Sequence, residues 1–585
     1  MSGFRFGPQS SADGVMFRIW APAARSVELI VDRPIRMPRQ ADGWHALPLA
    51  GAGAGTRYRF RIDGEAEVPD PASAFQPDDV GGPSEVVDHG SYAWRAADWR
   101  GRPWEETVVL ELHVGTFTPE GTFRAAIDQL DHVVDAGFTA IELMPLADFA
   151  GARNWGYDGV LLYAPDSAYG RPDDLRALVD AAHRRGLMVF LDVVYNHFGP
   201  EGNFLGRYAP AFFAPGATPW GQAIDYRVPQ VRAFAIENAL HWVDRYRFDG
   251  LRLDAVHAIT EPGEPSVLAE MSRAVGALAE RSGRHIHLVL ENDDNAARLL
   301  DPRAPPAGKF RAQWNDDYHH AWHVLLSGEA HGYYRDHAQA PVGRIARTLA
   351  AGFDYQGERS AHRNGCPRGE PSGALPPTAF VNFLQNHDQI GNRALGERID
   401  ALAGAPALEA ALTITLLAPM PPLMFMGEEW GARTPFPFFC DFTGALAEAV
   451  RNGRRAEFKE AYARLGGGIP DPLDERTFRS AKLDWSDREA GRRRLGLVRA
   501  LLAVRRRKVM PLLARIAFDP DATRPEGPLL RAAWMHPAGR LLLLANVSDD
   551  SAPRPPDWIN GAPIWGGEPD GTLPPWSVFW SIGTA

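Results

Sequence analysis

Asp254 closes the stretch Gly250-Leu251-Arg252-Leu253-Asp254, and the period of two in a strand puts Arg252 and Asp254 on one face. A guanidinium beside a carboxylate favours its ionised form, which keeps Asp254 available as a nucleophile. Glu291 ends a second apolar stretch, His287-Leu288-Val289-Leu290, where partial burial raises a carboxyl pKa and holds the proton until a leaving group arrives. An anion facing an anomeric carbon and a proton donor for the departing oxygen are the two parts that glycoside hydrolysis requires. His387-Asp388 are suited to hold sugar hydroxyls and to favour a distorted, positively charged transition state, and His197 to donate to a hydroxyl of the same ring. Glu428-Glu429 are rivals for the acid role, although neighbours in a strand point to opposite sides. On residue types alone, a plain Arg–Asp salt bridge at Asp254 and a helix-capping or cation-paired Glu291 remain the competing readings.

Other chemistries find less support. Asp192, His197 and His257 are metal-ligating types, but no compact ligand spacing of the zinc kind occurs. No Gly-rich phosphate loop follows a strand, and no Gly-x-Ser-x-Gly elbow is present, which removes nucleotide-dependent and serine-hydrolase chemistry. With 62 basic and 73 acidic residues the net charge is −11, which argues against nucleic acid as a partner. The basic stretches Arg492–Arg494 and Arg505–Lys508 flank Leu495, Val498, Leu501 and Leu502 at helical spacing, so they read as the solvated face of an amphipathic helix. Cys366 and Cys440 are the only cysteines, which is no disulfide framework and fits a reducing compartment. With no signal-like N-terminus and no apolar run of about 18 residues, a cytoplasmic protein without membrane contact is expected.

Residues in these roles need a scaffold that brings distant segments together. The length of 585 residues asks for several domains. Up to about residue 95, short alternating runs such as Val15–Trp20 and Tyr58–Ile62 predict a small sandwich, and Val68–Pro83 reads as a linker-like loop leading out of it. Eight buried-strand patterns then alternate with helical ones: Val108–Leu112, Ala140–Met144, Met188–Val194, Gly250–Asp254, His287–Leu290, Phe310–Trp314, Ala379–Leu384 and Pro422–Met426. Active sites of (β/α)8 barrels lie at the C-terminal strand ends, so Glu142, Asn196-His197, Asp254, Glu291, Asn315-Asp316, His387-Asp388 and Glu428-Glu429 are expected at one mouth. Leu529–Trp534, Leu541–Ala545 and Ser577–Trp580 predict a last β domain, and Asp301–Pro306 and Asn364–Pro377 read as exposed insertions. The expected fold is α/β: a (β/α)8 TIM barrel over 99–513, an N-terminal β-sandwich over 1–98 and a small C-terminal β domain over 514–585.

Four segments in order, Asp192–His197, Gly250–His257, Leu290–Asp293 and Phe383–Asp388, resemble the α-amylase superfamily, glycoside hydrolase family 13. The resemblance implies Asp254 as nucleophile, Glu291 as acid/base and Asp388 as transition-state stabiliser. Further stretches, Glu111–Gly121, Asn154–Gly159, Gln313–His320, Phe425–Trp430 and Pro435–Asp441, resemble members that cut the α-1,4 bond next to the terminal trehalose unit of maltooligosyltrehalose. They imply that substrate and related α-glucans as partners. They also imply a groove lined by Arg252, Leu253, Ala255, Val256 and His257, by Asn315, Asp316, Asp317, Tyr318 and His319, and by His387, Gln389, Ile390, Gly391 and Asn392, with Tyr157 stacking on the reacting sugar. The N-terminal segment resembles the immunoglobulin-like domain that precedes the barrel in branching and debranching enzymes. Where calcium-dependent α-amylases supply a histidine ligand, after His257, this chain has Ala258, and no cofactor is expected. The alternatives are a branching or debranching activity on the same scaffold, or a glycan-binding protein that has lost turnover; the intact carboxylates speak against the second.

Overall fold

In the computed structural model, which describes every residue except 1–3, 260, 262–264, 304–309, 460–462, 464–467, 559–560 and 585, the chain opens with two antiparallel sheets. One contains Gln9–Ser11, Gly14–Trp20 and Trp44–Leu49; the other contains Val27–Ile30, Pro34–Arg36, Arg57–Ile62 and Ala66–Val68, with Ser84–Glu85 at the side. Alternation turns Val15, Phe17 and Ile19 inward from the first sheet and Tyr58, Phe60 and Ile62 inward from the second. The Phe17 and Tyr58 rings meet between them at 4.7 Å. The turn-rich segment after Val68 is not the exposed linker its composition suggests. Residues 69–76 are buried, and Asp70 accepts hydrogen bonds from the Tyr58 hydroxyl and the Ala72 amide, both at 2.8 Å. The chain then returns to the second sheet, where Ser84 and Glu85 pair with Tyr58 and Arg57.

Eight parallel strands form the barrel: Val109–Leu112, Ala140–Leu143, Met188–Val194, Gly250–Asp254, His287–Leu290, Ala312–Trp314, Phe380–Val381 and Leu423–Phe425. Each pairs with its neighbour in sequence and the eighth pairs with the first; a bridge between Asn382 and Pro422 closes the ring. The floor is apolar, with Trp104, Met188, Phe190, Val289, Trp314 and Phe383 in one cluster. Arg252 lies with its guanidinium 4.2 Å from the centre of the Trp314 ring, where the filling changes from apolar to charged. That boundary marks the base of the mouth.

Ala405–Leu417 and Arg492–Val504 are two of the helices outside the barrel, and the second buries Leu495, Val498, Leu501 and Leu502 as their spacing predicts. The basic run after it departs from expectation. Arg505 is wholly buried and donates to the carbonyls of Leu416 (3.1 Å), Ala418 (2.5 Å) and Met420 (2.8 Å), where the earlier helix leaves acceptors without partners. Burial pushes its pKa down to about 9, so the carbonyls hold the charge against desolvation. Arg505→Met is expected to cost about 3 kcal/mol by leaving those acceptors unpaired. A denaturant melt checks this, with the kcat of the folded fraction unchanged.

After residue 515 a six-stranded antiparallel sheet includes Leu529–His536, Gly539–Asn546 and Val578–Gly583, with the Trp534 and Trp580 rings stacked at 5.6 Å. Of the two expected insertions, residues 304–306 lie outside the described residues. Asn364–Pro377 is only partly exposed, because Arg368, Ser372 and Leu375 reach into the protein. No helix among the described residues is long and apolar enough to cross a membrane.

Candidate active site

Strand register builds the centre of the mouth. Asp192 pairs across from Arg252, and Val194 from Asp254, so one guanidinium serves two carboxylates. Arg252 Nη1 donates to Asp192 at 2.8 and 2.9 Å and to Asp254 Oδ1 at 2.8 Å. Asn196 Nδ2 donates to the other Asp254 oxygen at 2.9 Å, which fixes the plane of the carboxylate. Burial opposes the charge on Arg252, but Asp192, Tyr157 and Asp254 around it hold its pKa well above the ordinary value.

Leu253 pairs with Leu290, so Asp254 and Glu291 come next, side by side at the ends of the fourth and fifth strands. Ala255 then takes up left-handed backbone at φ 42°, unusual for a residue with a Cβ, and its amide donates to Glu291 Oε2 at 2.6 Å. Burial pushes the Glu291 pKa well above the carboxylate range, and the nearby Asp254, Asp316 and Asp388 add to the rise against the pull of Arg252. The raised pKa expected of Glu291 thus has a structural cause.

Asp388 stands on a short helical turn, His387–Gly391, made rigid by a capping box. Asn386 Oδ1 accepts from the Asp388 amide at 2.9 Å, and Gln389 Oε1 accepts from the Asn386 amide at 3.1 Å. His387 is clamped by Glu111 of the first strand, which approaches Nδ1 at 2.5 Å and accepts from the His387 amide at 3.1 Å. Tyr157 completes the circuit: its hydroxyl donates to Asp192 at 2.6 Å and lies 2.8 Å from His387 Nε2, while its ring packs on that imidazole at 5.2 Å. Burial opposes protonation of His387, yet Asp388 and Glu111 raise its pKa well above the usual value. Burial also opposes the charge on Asp388, but His387 and Arg252 outweigh it and leave that carboxyl below the ordinary range.

A family model described as the catalytic domain of alpha amylase matches residues 86–209, and carbohydrate-binding module 48, the isoamylase N-terminal domain, matches residues 5–76. The malto-oligosyltrehalose trehalohydrolase of Deinococcus radiodurans is 43% identical over 93% of this chain and 89% of its own. That of Rhizobium sp. (strain M-11) is 41% identical over 86% of this chain and 87% of its own. The chain belongs to the malto-oligosyltrehalose trehalohydrolase family. A crystal structure of a putative alpha amylase from Salmonella typhimurium superposes with a TM-score of 0.94 at 45% identity, over 99% of this chain and 100% of the other. The barrel and the sandwich therefore belong to the α-amylase type.

Within this trehalohydrolase scaffold the implied groove residues divide by the way each element turns. Tyr157, Asp254, His257, Glu291, Asp316, Asp388 and Asn392 have surface at the mouth, and burial together with Asp293 brings the Asp316 carboxyl up to about 7. Leu253, Val256, Tyr318 and Ile390 instead face the hydrophobic core, because strand and helix periods point neighbours in opposite directions. Asn315 donates to Gly352 and Asn382, and His319 is pinned between the Leu384 carbonyl and the Tyr334 hydroxyl. Gly391 leaves room for Trp155, whose ring a Cβ there would meet at 1.9 Å. His197 is not free to serve a sugar hydroxyl: its Nδ1 faces Asn196 Oδ1, and its Nε2 faces the Tyr157 carbonyl at 3.0 Å. Glu428 accepts from the Phe425 amide and Glu429 pairs with His132, so neither carboxylate is tied to the Asp254 network.

Glu111 and Trp220 are positions that reasoning from residue types passed over, and Asp192, weighed there only as a metal-ligating type, is the second carboxylate held by Arg252. Glu111 had a signal, a charge within the apolar strand Val108–Leu112, since a buried carboxylate requires a partner. Trp220 had none; it stands 50% exposed beside His197, with ring centres 6.0 Å apart. Among the described residues, the group with metal-ligand spacing is Asp317, His320 and His337, with ligand atoms within 4.8 Å of one another. The Asp317 oxygens already accept from Arg368, Asn295 and the amides of Asp354 and Tyr355, so that cluster is an ion-pair network rather than a metal seat.

Proposed function

We propose that the protein hydrolyses the α-1,4-glucosidic bond next to the terminal trehalose of maltooligosyltrehalose with retention of configuration, releasing trehalose and a maltooligosaccharide. The observation that carries the mechanism is the pair formed by Asp254 and Glu291 on adjacent strands. Neighbouring strands lie about 4.8 Å apart, which suits the roughly 5.5 Å separation of carboxyl groups in a retaining glycosidase. Glu291 gives its proton to the glycosidic oxygen as that bond to the anomeric carbon breaks, and Asp254 forms a new bond to the same carbon. Water then attacks the anomeric carbon, Glu291 takes the proton from it, and the bond to Asp254 breaks. Asp388 opposes the positive charge of both transition states in this reading. Arg252, Asn196, His387 and Tyr157 hold these groups in place.

The substrate assignment draws on the names of the two relatives. Those relatives match 93% and 86% of this chain. We further take residues 1–98, 99–513 and 514–585 as sandwich, catalytic and C-terminal domains. Two unpaired cysteines, one exposed and one buried, fit a cytoplasmic setting.

Maltotriosyltrehalose, maltopentaose and a branched glucan share the bond chemistry and differ on the leaving-group side. With the purified protein, trehalose and maltotriose are the expected products of the first, with the other two cut slowly. Preferential debranching or chain transfer would keep the carboxylate roles and reject this substrate.

A further inference from the structure

Strand periodicity carries two glutamates into the barrel beneath the reacting groups. On the first strand Val109 belongs to the apolar floor while Leu110 and Leu112 face the outer core, so Glu111 points inward one step above the floor. The second strand repeats the pattern: Ala140 is in the floor, Ile141 and Leu143 are in the outer core, and Glu142 points inward. In the register of these parallel strands Glu142 stands directly across from Glu111, and on its other side from Phe190, two residues before Asp192. Neighbouring strands lie about 4.8 Å apart, which brings two inward glutamates within reach of each other. Glu111 is 1% exposed and Glu142 2%, so neither charge is met by bulk water.

Only one of the two has a cation. The Glu111 oxygens face the amide and Nδ1 of His387. Among the described residues no arginine, lysine or histidine forms an ion pair with Glu142, and its Oε1 has no hydrogen-bond partner. The nearby cations are already engaged, Arg252 with Asp192 and Asp254, and His387 with Glu111 and Asp388. Two like charges side by side in a dry interior do not both persist, and the carboxyl without a cation is the one that keeps its proton. Burial drives the Glu142 carboxyl well above its usual range, and Glu111 and Asp192 add to the rise against Arg252 and His387. A protonated carboxyl has one O–H to donate. We propose that Glu142 remains a neutral acid and donates its proton to the Glu111 carboxylate, which makes it a positioning residue for His387 and, through the turn His387–Gly391, for Asp388. The donated proton orients Glu111 without adding a charge that would draw His387 or Arg252 from its partners. The inference rests on Asp388 acting at the reacting carbon, as proposed above.

Two variants of the full chain and one spectrum test this. Glu142→Gln keeps the shape, the neutrality and a donor, and is expected to retain most of the native kcat. Glu142→Leu keeps the neutrality without a donor and is expected to lower kcat by at least ~10-fold, with KM changing far less, because Asp388 is displaced while the substrate contacts remain. Glu142→Met replaces it where the leucine variant does not fold. In heavy water, the infrared difference between the native chain and Glu142→Gln at neutral pH should show the carbonyl stretch of a protonated carboxyl in the native chain. A missing band, a leucine or methionine variant as fast as Glu142→Gln, or a glutamine variant as slow as they are would each overturn the proposal. The band and the ratio between variants do not depend on which α-glucan is cleaved, so a failed substrate assignment leaves a separate signature.

Discussion

Asp254→Ala is expected to lower kcat on maltotriosyltrehalose by about 10⁴-fold or more, with a melting temperature close to that of the native protein. The two halves of this expectation have separate causes. Without the carboxylate no bond forms to the anomeric carbon, and water must attack unaided by a covalent intermediate. The fold survives because Arg252 keeps both contacts to Asp192 and its place over Trp314, so no charge is orphaned in the barrel. Substrate contacts away from the reacting carbon persist, so KM should change far less than kcat. Steady-state kinetics beside a thermal melt checks both halves; turnover within tenfold of native would remove Asp254 from the nucleophile role.

Glu291→Gln is expected to lower kcat by about 10²- to 10⁴-fold, the usual worth of a positioned general acid. Glutamine still accepts from the Ala255 amide, so geometry is kept while the transferable proton is lost. An α-glucosyl substrate whose leaving group departs without protonation should recover much of the first step, which a merely structural role would not allow. The pH profile gives an independent reading. The active form has Glu291 protonated, and burial holds its pKa well above the carboxylate range. The native rate therefore persists above the ordinary carboxylate range and falls as pH rises through that raised pKa; in Glu291→Gln this basic limb should vanish. A buried acid with a raised pKa also lends stability that is lost as pH rises through it, so the variant should melt higher than the native protein at alkaline pH. A basic limb unchanged in the variant would assign it to another group.

The barrel and the carboxylates proposed as its catalytic acids were legible in the sequence for a physical reason. A strand buried on both faces must be almost wholly apolar, so an Asp or Glu at its end stands out, and the parallel barrel collects such ends at one mouth. The spacing of Arg252 and Asp254 needed only the strand period, and that of Leu495, Val498, Leu501 and Leu502 only the helix period. Other assignments needed the third dimension. Leu253, Val256, Tyr318 and Ile390 share motif segments with the groove residues but belong to the core, because the same periods turn them away. Arg505 reads as surface by composition, yet lies buried because a distant helix end presents it with three carbonyls. Glu111 and His387 are 276 positions apart and meet only because the first strand closes against the eighth. Residue types and local periods thus determined which side chains are proposed to carry the chemistry and on which elements they ride. Only the tertiary structure decided which polar groups hold them, because hydrogen bonds and burial depend on neighbours in space, and most of those neighbours come from remote parts of the chain.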